Sequence, residues 1–492
     1  MKNFSLLLAL FSLLSLSAQN QIADDIAALQ SAKAEFKSFS VLTASSTQPN
    51  EEISATVTNA TIAVIDHSGV NSIVALRPQT IKIQIPYNGT LIPVLLYKAE
   101  IANEAFTVST DKASNVPYQL GAHYRGIIQG DATSLVAMNF FNNEMSGIVS
   151  SHSLNNLVIG KIDKAFNTSE YIIYSDENML IPNGFRCDVK EDDQPIEDSH
   201  DHRDASRSVA SVKCVTLYFE IDYDLYLANN SNVTTTTNWM TSVFNNVQTL
   251  FANDGISTAL RSIYIWTEDD PYTGDSSSDY LYQFKDLRPV FDADMGQLVS
   301  IDPGGLGGVA FLNGVCNQNN YSYSDVNLSF NTVPTYSWTI QVITHELGHQ
   351  MGSRHTHACA WNGNNTAIDG CGQQAGYTEG GCATGPIPSI GIKGTIMSYC
   401  HLISGVGIAF NNGFGTQPKN VILATVNNGS CLSSDCVNAC INTVANFEPI
   451  QVTNNSVTVS WNDVGSTTTW QVAILPINGI FANYITKTTT SH

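Results

Sequence analysis

The chain has 492 residues, 43% of them hydrophobic and only 13% charged, with a formal net charge of −21. This length predicts about two to four domains, and the composition excludes an intrinsically disordered chain. The acidic balance argues against a nucleic-acid-binding surface, which needs Lys and Arg against phosphate, and leaves a solvated acidic exterior.

Residues 1–18 contain Lys2, the apolar run Phe4 to Leu16, and small residues ending at Ala18. This pattern predicts a secretory signal peptide cleaved near Ala18, because it is too short and wrongly flanked for a membrane span. No later stretch approaches transmembrane length, and ten cysteines suit an oxidising compartment. A secreted, extracellular or cell-surface protein is expected.

From residue 19 to 207 the chain reads as a mainly-β domain ending in a linker. Apolar residues alternate in Ile81 to Ile85, and a second extended run covers Ser134 to Phe141. No catalytic cluster is visible there. Cys187 is the one cysteine of this region. It can be a zinc-binding thiolate, a disulfide partner of Cys214 or Cys436, or an inert thiol, and the even cysteine total does not choose among these. Residues 191–208 are acidic and polar. Their His200 and His202 read as solvated linker residues, and Arg203, Arg207 and Lys213 offer cleavage points to a trypsin-like enzyme.

An α/β domain is predicted over 208–435. Val215, Leu217, Phe219 and Ile221 alternate as a strand. Met240, Val243, Phe244, Val247, Leu250 and Phe251 form the buried stripe of a helix. Ile263 and Ile265 mark another strand, and a helix is expected around Tyr280 to Leu287. The run Leu306 to Phe311 reads as a Gly-rich strand or turn.

The run Trp338 to Met351 predicts a helix capped by Thr335 or Ser337, with Ile340, Ile343 and Leu347 on one apolar face. His345 and His349, four apart on that helix, can share one ion. Gly352 can take positive φ, ending the helix and returning His355 as a third ligand. Three imidazoles leave zinc an open fourth position for water, and Glu346 lies beside it as general base. A structural zinc would normally complete its tetrahedron with a fourth His or Cys. Beyond Cys436, the strands Val457 to Trp461 and Trp470 to Ile474 resemble the start of a fibronectin type III sandwich. Residues 436–492 are too few for that whole fold, which needs about 100 residues.

The extended histidine motif resembles the metzincin metalloproteases, and Thr395 to Cys400 is similar to their Met-turn, with Met397 beneath the histidines. The stretch His123-Tyr124-Arg125-Gly126, then Gly130-Asp131, Ser134 and Gly147, resembles the propeptide of the reprolysin or adamalysin branch. The resemblance covers about residues 80 to 435. It implies a zymogen whose propeptide inhibits it, with Cys187 as a cysteine switch on zinc. It also implies that Gly308, Val309 and Ala310 form an exposed edge strand that receives a peptide substrate. Cys400 to Ile403 would wall an apolar side-chain pocket. The family pattern implies disulfides Cys316–Cys431 and Cys359–Cys400, leaving Cys371 with Cys382. A calcium ion is implied at Glu220 and Asp294, although Ser434 stands where the family usually has Asn. Two more residues depart from the pattern. Thr356 replaces an Asp after the third histidine, and Tyr399 is similar to the serralysin tyrosine, which makes it a candidate oxyanion donor. The expected function is a zinc endopeptidase acting on extracellular proteins. A serralysin-type protease and a non-catalytic adhesin with structural zinc are the alternatives.

Overall fold

The computed structural model describes residues 20–181, 183–187, 210–302, 304–434, 436, 444–453, 456–463, 470–472 and 487–489. The expected signal peptide and most of the linker, including His200, His202, Arg203 and Arg207, lie outside these residues.

The N-terminal region opens with helix α1 (Gln21–Ser31), whose N-cap Asn20 side chain accepts from Ala23 N. It then builds ten strands of one sheet: β1 (Lys37–Ser38), β2 (Leu42–Ala44), β3 (Ala60–Ile65), β4 (Thr80–Tyr87), β5 (Thr90–Lys98), β7 (Ala122–Ile128), β8 (Leu135–Phe141), β9 (Glu144–Ser151), β10 (Asn155–Lys161) and β11 (Glu170–Ser175). The order is β1-β4-β5-β7-β8-β9-β10-β11-β3-β2, and the sheet curls around a core that joins Ile81, Ile83 and Ile85 of β4 to Leu42 and Ile65 at the other end. The alternating run Ile81 to Ile85 is therefore a strand, as its pattern predicts. All seven residues of β8 are buried, because both faces of this stretch of sheet are covered.

The intervening strand, β6 (Ala102–Thr110), leaves this sheet and pairs in parallel with β13 (Ser257–Ile265), with Ile263 opposite Val108. It is the last strand of a six-stranded sheet ordered β15-β16-β14-β12-β13-β6. The others are β12 (Cys214–Ile221), β14 (Met295–Ser300), β15 (Gly308–Ala310) and β16 (Tyr321–Asp325). Only β15 runs antiparallel to its neighbour. The alternation in β12 marks one face: Val215, Leu217, Phe219 and Ile221 enter the main core, while Tyr218 joins a second, aromatic core behind the sheet.

Helix α2 (Val233–Asn253) lies between the two sheets, touching β8 on one side and β13 on the other. Its apolar stripe is buried as the helical spacing predicts, and the helix begins after an Asn232 cap that accepts from Thr235 N. One continuous core holds Ile127, Leu135 and Ile148 of the N-terminal sheet together with Val243, Val247 and Ile340. Asn245 of α2 also donates to the Tyr124 and Met138 carbonyls across this boundary. Helix α3 (Ser277–Leu287) carries a capping box formed by Ser276 and Asp279.

The His123 to Gly126 stretch lies in β7. His123 bonds Asn139, and the buried Arg125 donates to Gln248 of α2. Ser134 ties its turn through Ile128 N and Asp131 O, so these positions hold the sheet together. At the far end, Val444–Val452 pairs with Val457–Asp463, and Trp470–Val472 pairs with Lys487–Thr489, giving two separate antiparallel pairs among the described residues.

Four disulfides join described cysteines. Cys316–Cys431 forms as the family pattern implies, and Cys214–Cys436 ties the first strand of the α/β region to its end. The other two expectations are corrected: Cys359 pairs with Cys382, and Cys371 with Cys400. The reason is local, since Ala358 and Glu379 form a β-bridge that brings the two chain segments side by side, leaving Cys371 against the turn after Met397. Cys187 belongs to none of the four, which removes its proposed pairings with Cys214 and Cys436.

Candidate metal centre

Helix α4 (Tyr336–Gln350) carries the first two histidines. Thr335 occupies its N-cap position, yet its hydroxyl donates to Asn327 O instead of capping a helix N–H. Ile340, Ile343 and Leu347 are buried on one face, and His345, Glu346 and His349 are buried on another, because the helix is enclosed on all sides. Gly352 has φ +93°, and the chain reverses there to bring His355 back.

The three Nε2 atoms converge, with separations of 3.1 Å for His345 and His349, 3.2 Å for His349 and His355, and 3.0 Å for His355 and His345. A tetrahedral zinc about 2.0–2.1 Å from each nitrogen sets neighbouring ligands about 3.3 Å apart, so the three fit one such ion closely. Their other nitrogens are committed. His345 Nδ1 donates to Ile396 O at 2.8 Å, His349 Nδ1 to Ser353 O at 2.6 Å, and His355 Nδ1 to the Glu379 carboxylate. Each ring is thereby held in the tautomer whose Nε2 lone pair faces the common centre. Burial, and then the neighbouring histidines, hold all three far below the usual imidazole pKa, which keeps them neutral and ready to ligate.

Cys187 completes the group. Its Sγ and the three Nε2 atoms all lie within 4.8 Å of one another. The Sγ also lies 3.3 Å from Glu346 Oε2. The segment around it is held at several points. Cys187 N donates to Tyr399 OH at 3.0 Å, and that hydroxyl donates to Cys187 O at 2.6 Å. Gly308 N donates to Arg186 O, so Cys187 pairs in parallel with β15. The expected open edge at Gly308, Val309 and Ala310 is therefore partly covered by the chain's own segment at Gly308. Gly308 has no room for a side chain, since a Cβ there would sit 2.2 Å from Glu346 Oε1.

Phe185 was not singled out by sequence. Its ring stacks on His401 and meets His345 edge-on, both at 5.4 Å, while His401 Nε2 donates to Phe185 O. The expected pocket wall at Cys400 to Ile403 thus faces an aromatic ring. Burial pushes His401 down to about 4, so it presents a neutral surface at neutral pH. Met397 is buried beneath the histidines against Gly348 of the helix, and its carbonyl accepts from Thr356 N. Burial, followed by the Cys187 charge, raises the Tyr399 hydroxyl well above its ordinary range, so it remains a proton donor.

The calcium expectation does not survive the geometry. Glu220 is buried and bonded to Arg288 through two nitrogens, and it also accepts from Tyr218, Tyr272 and Trp266. Burial alone would raise its pKa, but Arg288 holds it below the usual range. Asp294 accepts from Thr216, four strand residues or roughly 13 Å along β12 from Glu220. Two carboxylates so placed do not share an ion.

Glu379 was also missed, because no spacing rule connects it to a motif 24 positions upstream. The histidine-bearing helix beneath a mixed sheet defines the class: a metalloprotease-like fold in a multidomain chain. The sequence profile of metallo-peptidase family M12 matches residues 211–401. Among solved structures, metalloproteinase-II from Bacteroides fragilis is 11% identical with a TM-score of 0.36, over 61% of this chain and 89% of that one. A chaperone–substrate complex is also 11% identical with a TM-score of 0.28, over 71% of this chain and 56% of that one. No helix among the described residues is long and apolar enough to cross a membrane.

Proposed function

We propose that this chain is a secreted zinc endopeptidase of the reprolysin-like metzincins, made as a zymogen, cleaving peptide bonds of extracellular proteins. The observation that carries the reading is the convergence of three Nε2 atoms, with Cys187 Sγ within 4.8 Å of them. In this reading residues 1–18 are the signal peptide, 19–207 the propeptide and linker, 208–435 the catalytic domain, and 436–492 part of a fibronectin type III-like domain.

His345, His349 and His355 hold the zinc. When bound, it supplies a Lewis acid that makes water nucleophilic near neutral pH. Glu346 takes the proton in both states of the protein. In the latent state its carboxylate receives the thiol proton of Cys187, and after the segment leaves it receives a proton from attacking water and passes it to the leaving amine. Tyr399, bonded to the Cys187 backbone while latent, is released to donate to the developing oxyanion. Cleavage in the linker frees the Gly308 edge for an extended substrate.

The test uses the processed protein on an unfolded protein substrate. A chelator should abolish cleavage, and Glu346→Ala should lower it by about 10²–10⁴-fold with zinc retained. Full activity in that variant would remove Glu346 from the role of base.

A further inference from the structure

We infer that Glu379 is the positioning residue of the third ligand: its carboxylate fixes the His355 ring and so sets how tightly the centre holds zinc. The inference rests on the zinc reading above. His345 and His349 turn their Nδ1 atoms to backbone carbonyls, while His355 alone of the three turns its Nδ1 to a side chain. His355 also lies beyond the helix, so helical geometry does not aim it. A carboxylate on the second nitrogen fixes ring orientation and raises the basicity of the ligating one.

Several features deliver that carboxylate from a distant loop. Ala358 and Glu379 form a β-bridge, Cys359 N donates to Glu379 O at 2.9 Å, and the Cys359–Cys382 disulfide closes the same loop. Gly380 has φ +97°, which lets the chain turn directly beneath Cys359. All these ties run through backbone and sulfur, so the loop keeps its path without the Glu379 side chain. The residue adjacent to the ligand, Thr356, is turned to Met397 O and does not serve His355. His357 stacks on His355 at 5.0 Å with its Nε2 3.6 Å from the same Glu379 oxygen, walling the carboxylate in from the other side.

The experiment measures zinc affinity of the full-length chain by competition with a chromophoric chelator, for wild type, Glu379→Ala and Glu379→Gln. Glu379→Ala should bind zinc about 10–100-fold more weakly, with the zinc-free protein melting at the wild-type temperature. Glu379→Gln keeps an acceptor for His355 Nδ1 and should recover part of the loss. Equal affinity in wild type and Glu379→Ala would overturn the inference while leaving the zinc centre intact. So would a lower melting temperature of the zinc-free Glu379→Ala protein, which would assign Glu379 to the scaffold. A wild-type chain that binds no zinc would overturn the functional reading along with it.

Discussion

Replacing Cys187 by Ala tests the latency mechanism in its simplest form. Besides the thiol contact, the segment Asn183 to Cys187 is held by five hydrogen bonds: two between Tyr399 and the Cys187 backbone, one from Gly308 N to Arg186 O, one from His401 to Phe185 O, and one from Asn183 Nδ2 to Gln341 Oε1. At about 1 kcal/mol each, with about 2 kcal/mol for burying Phe185, these bonds roughly offset the ordering of five residues at about 1–2 kcal/mol apiece. Without the thiolate the segment is thus poised between docked and undocked. A four-ligand zinc site is worth roughly 10–16 kcal/mol, so one thiolate contributes about 3 kcal/mol, a factor on the order of 100 in occupancy. The uncut Cys187→Ala chain, with Arg203, Arg207 and Lys213 replaced to block processing, should hydrolyse a fluorogenic peptide about 100-fold faster than the same chain with Cys187. An uncut variant as silent as its parent, alongside a fully active processed enzyme, would falsify the thiol's part in latency.

Arg288→Met leaves the buried Glu220 without its cation and should cost about 3–5 kcal/mol, whereas replacing both residues by apolar ones of similar size should cost much less. Thermal melts of the two variants decide it, and a calcium chelator that lowered the wild-type melting temperature through Glu220 would contradict the ion-pair assignment. Burial pushes Asp176 up to about 7, against the pull of Asn156 and Lys393. Because the folded chain binds this proton more tightly than the unfolded chain, its contribution to stability is fully present below about pH 4 and is lost as pH rises through 7. Asp176→Asn should flatten that decline in melting temperature, and an unchanged slope would exclude Asp176 as its source. Gly308→Val should abolish cleavage even in the processed form, because its side chain would collide with Glu346, and retained turnover with normal zinc content would refute that contact.

The histidine centre was legible because its information is local. Four-residue spacing on a helix, a glycine with positive φ and a returning histidine bring the three imidazoles together without knowledge of the rest. The strands β4 and β12 were legible for the same reason. The partners that tune the centre were not. Glu379, Ile396 O and Ser353 O reach the rings by way of loops, and no periodicity marks them. Phe185 looked like ordinary sequence beside a cysteine, and only packing against His401 reveals its place. The disulfide pairing failed where four cysteines lie in loop-rich chain, since a β-bridge at Ala358, invisible in sequence, chose the partners. The strand β6 was hidden by its composition: Ala102 to Thr110 mixes Asn, Glu, Thr and Ser with few apolar residues, because it borders a sheet instead of filling a core.

That border strand bears on how the protein is made. A chain beginning near residue 208 would lack β6, leaving the outer rim of β13 with a row of unsatisfied amides and carbonyls, a template on which a second copy can zip. Recombinant production of the shorter chain alone should therefore give precipitate, and supplying residues 20–187 as a separate polypeptide during refolding should keep it dispersed.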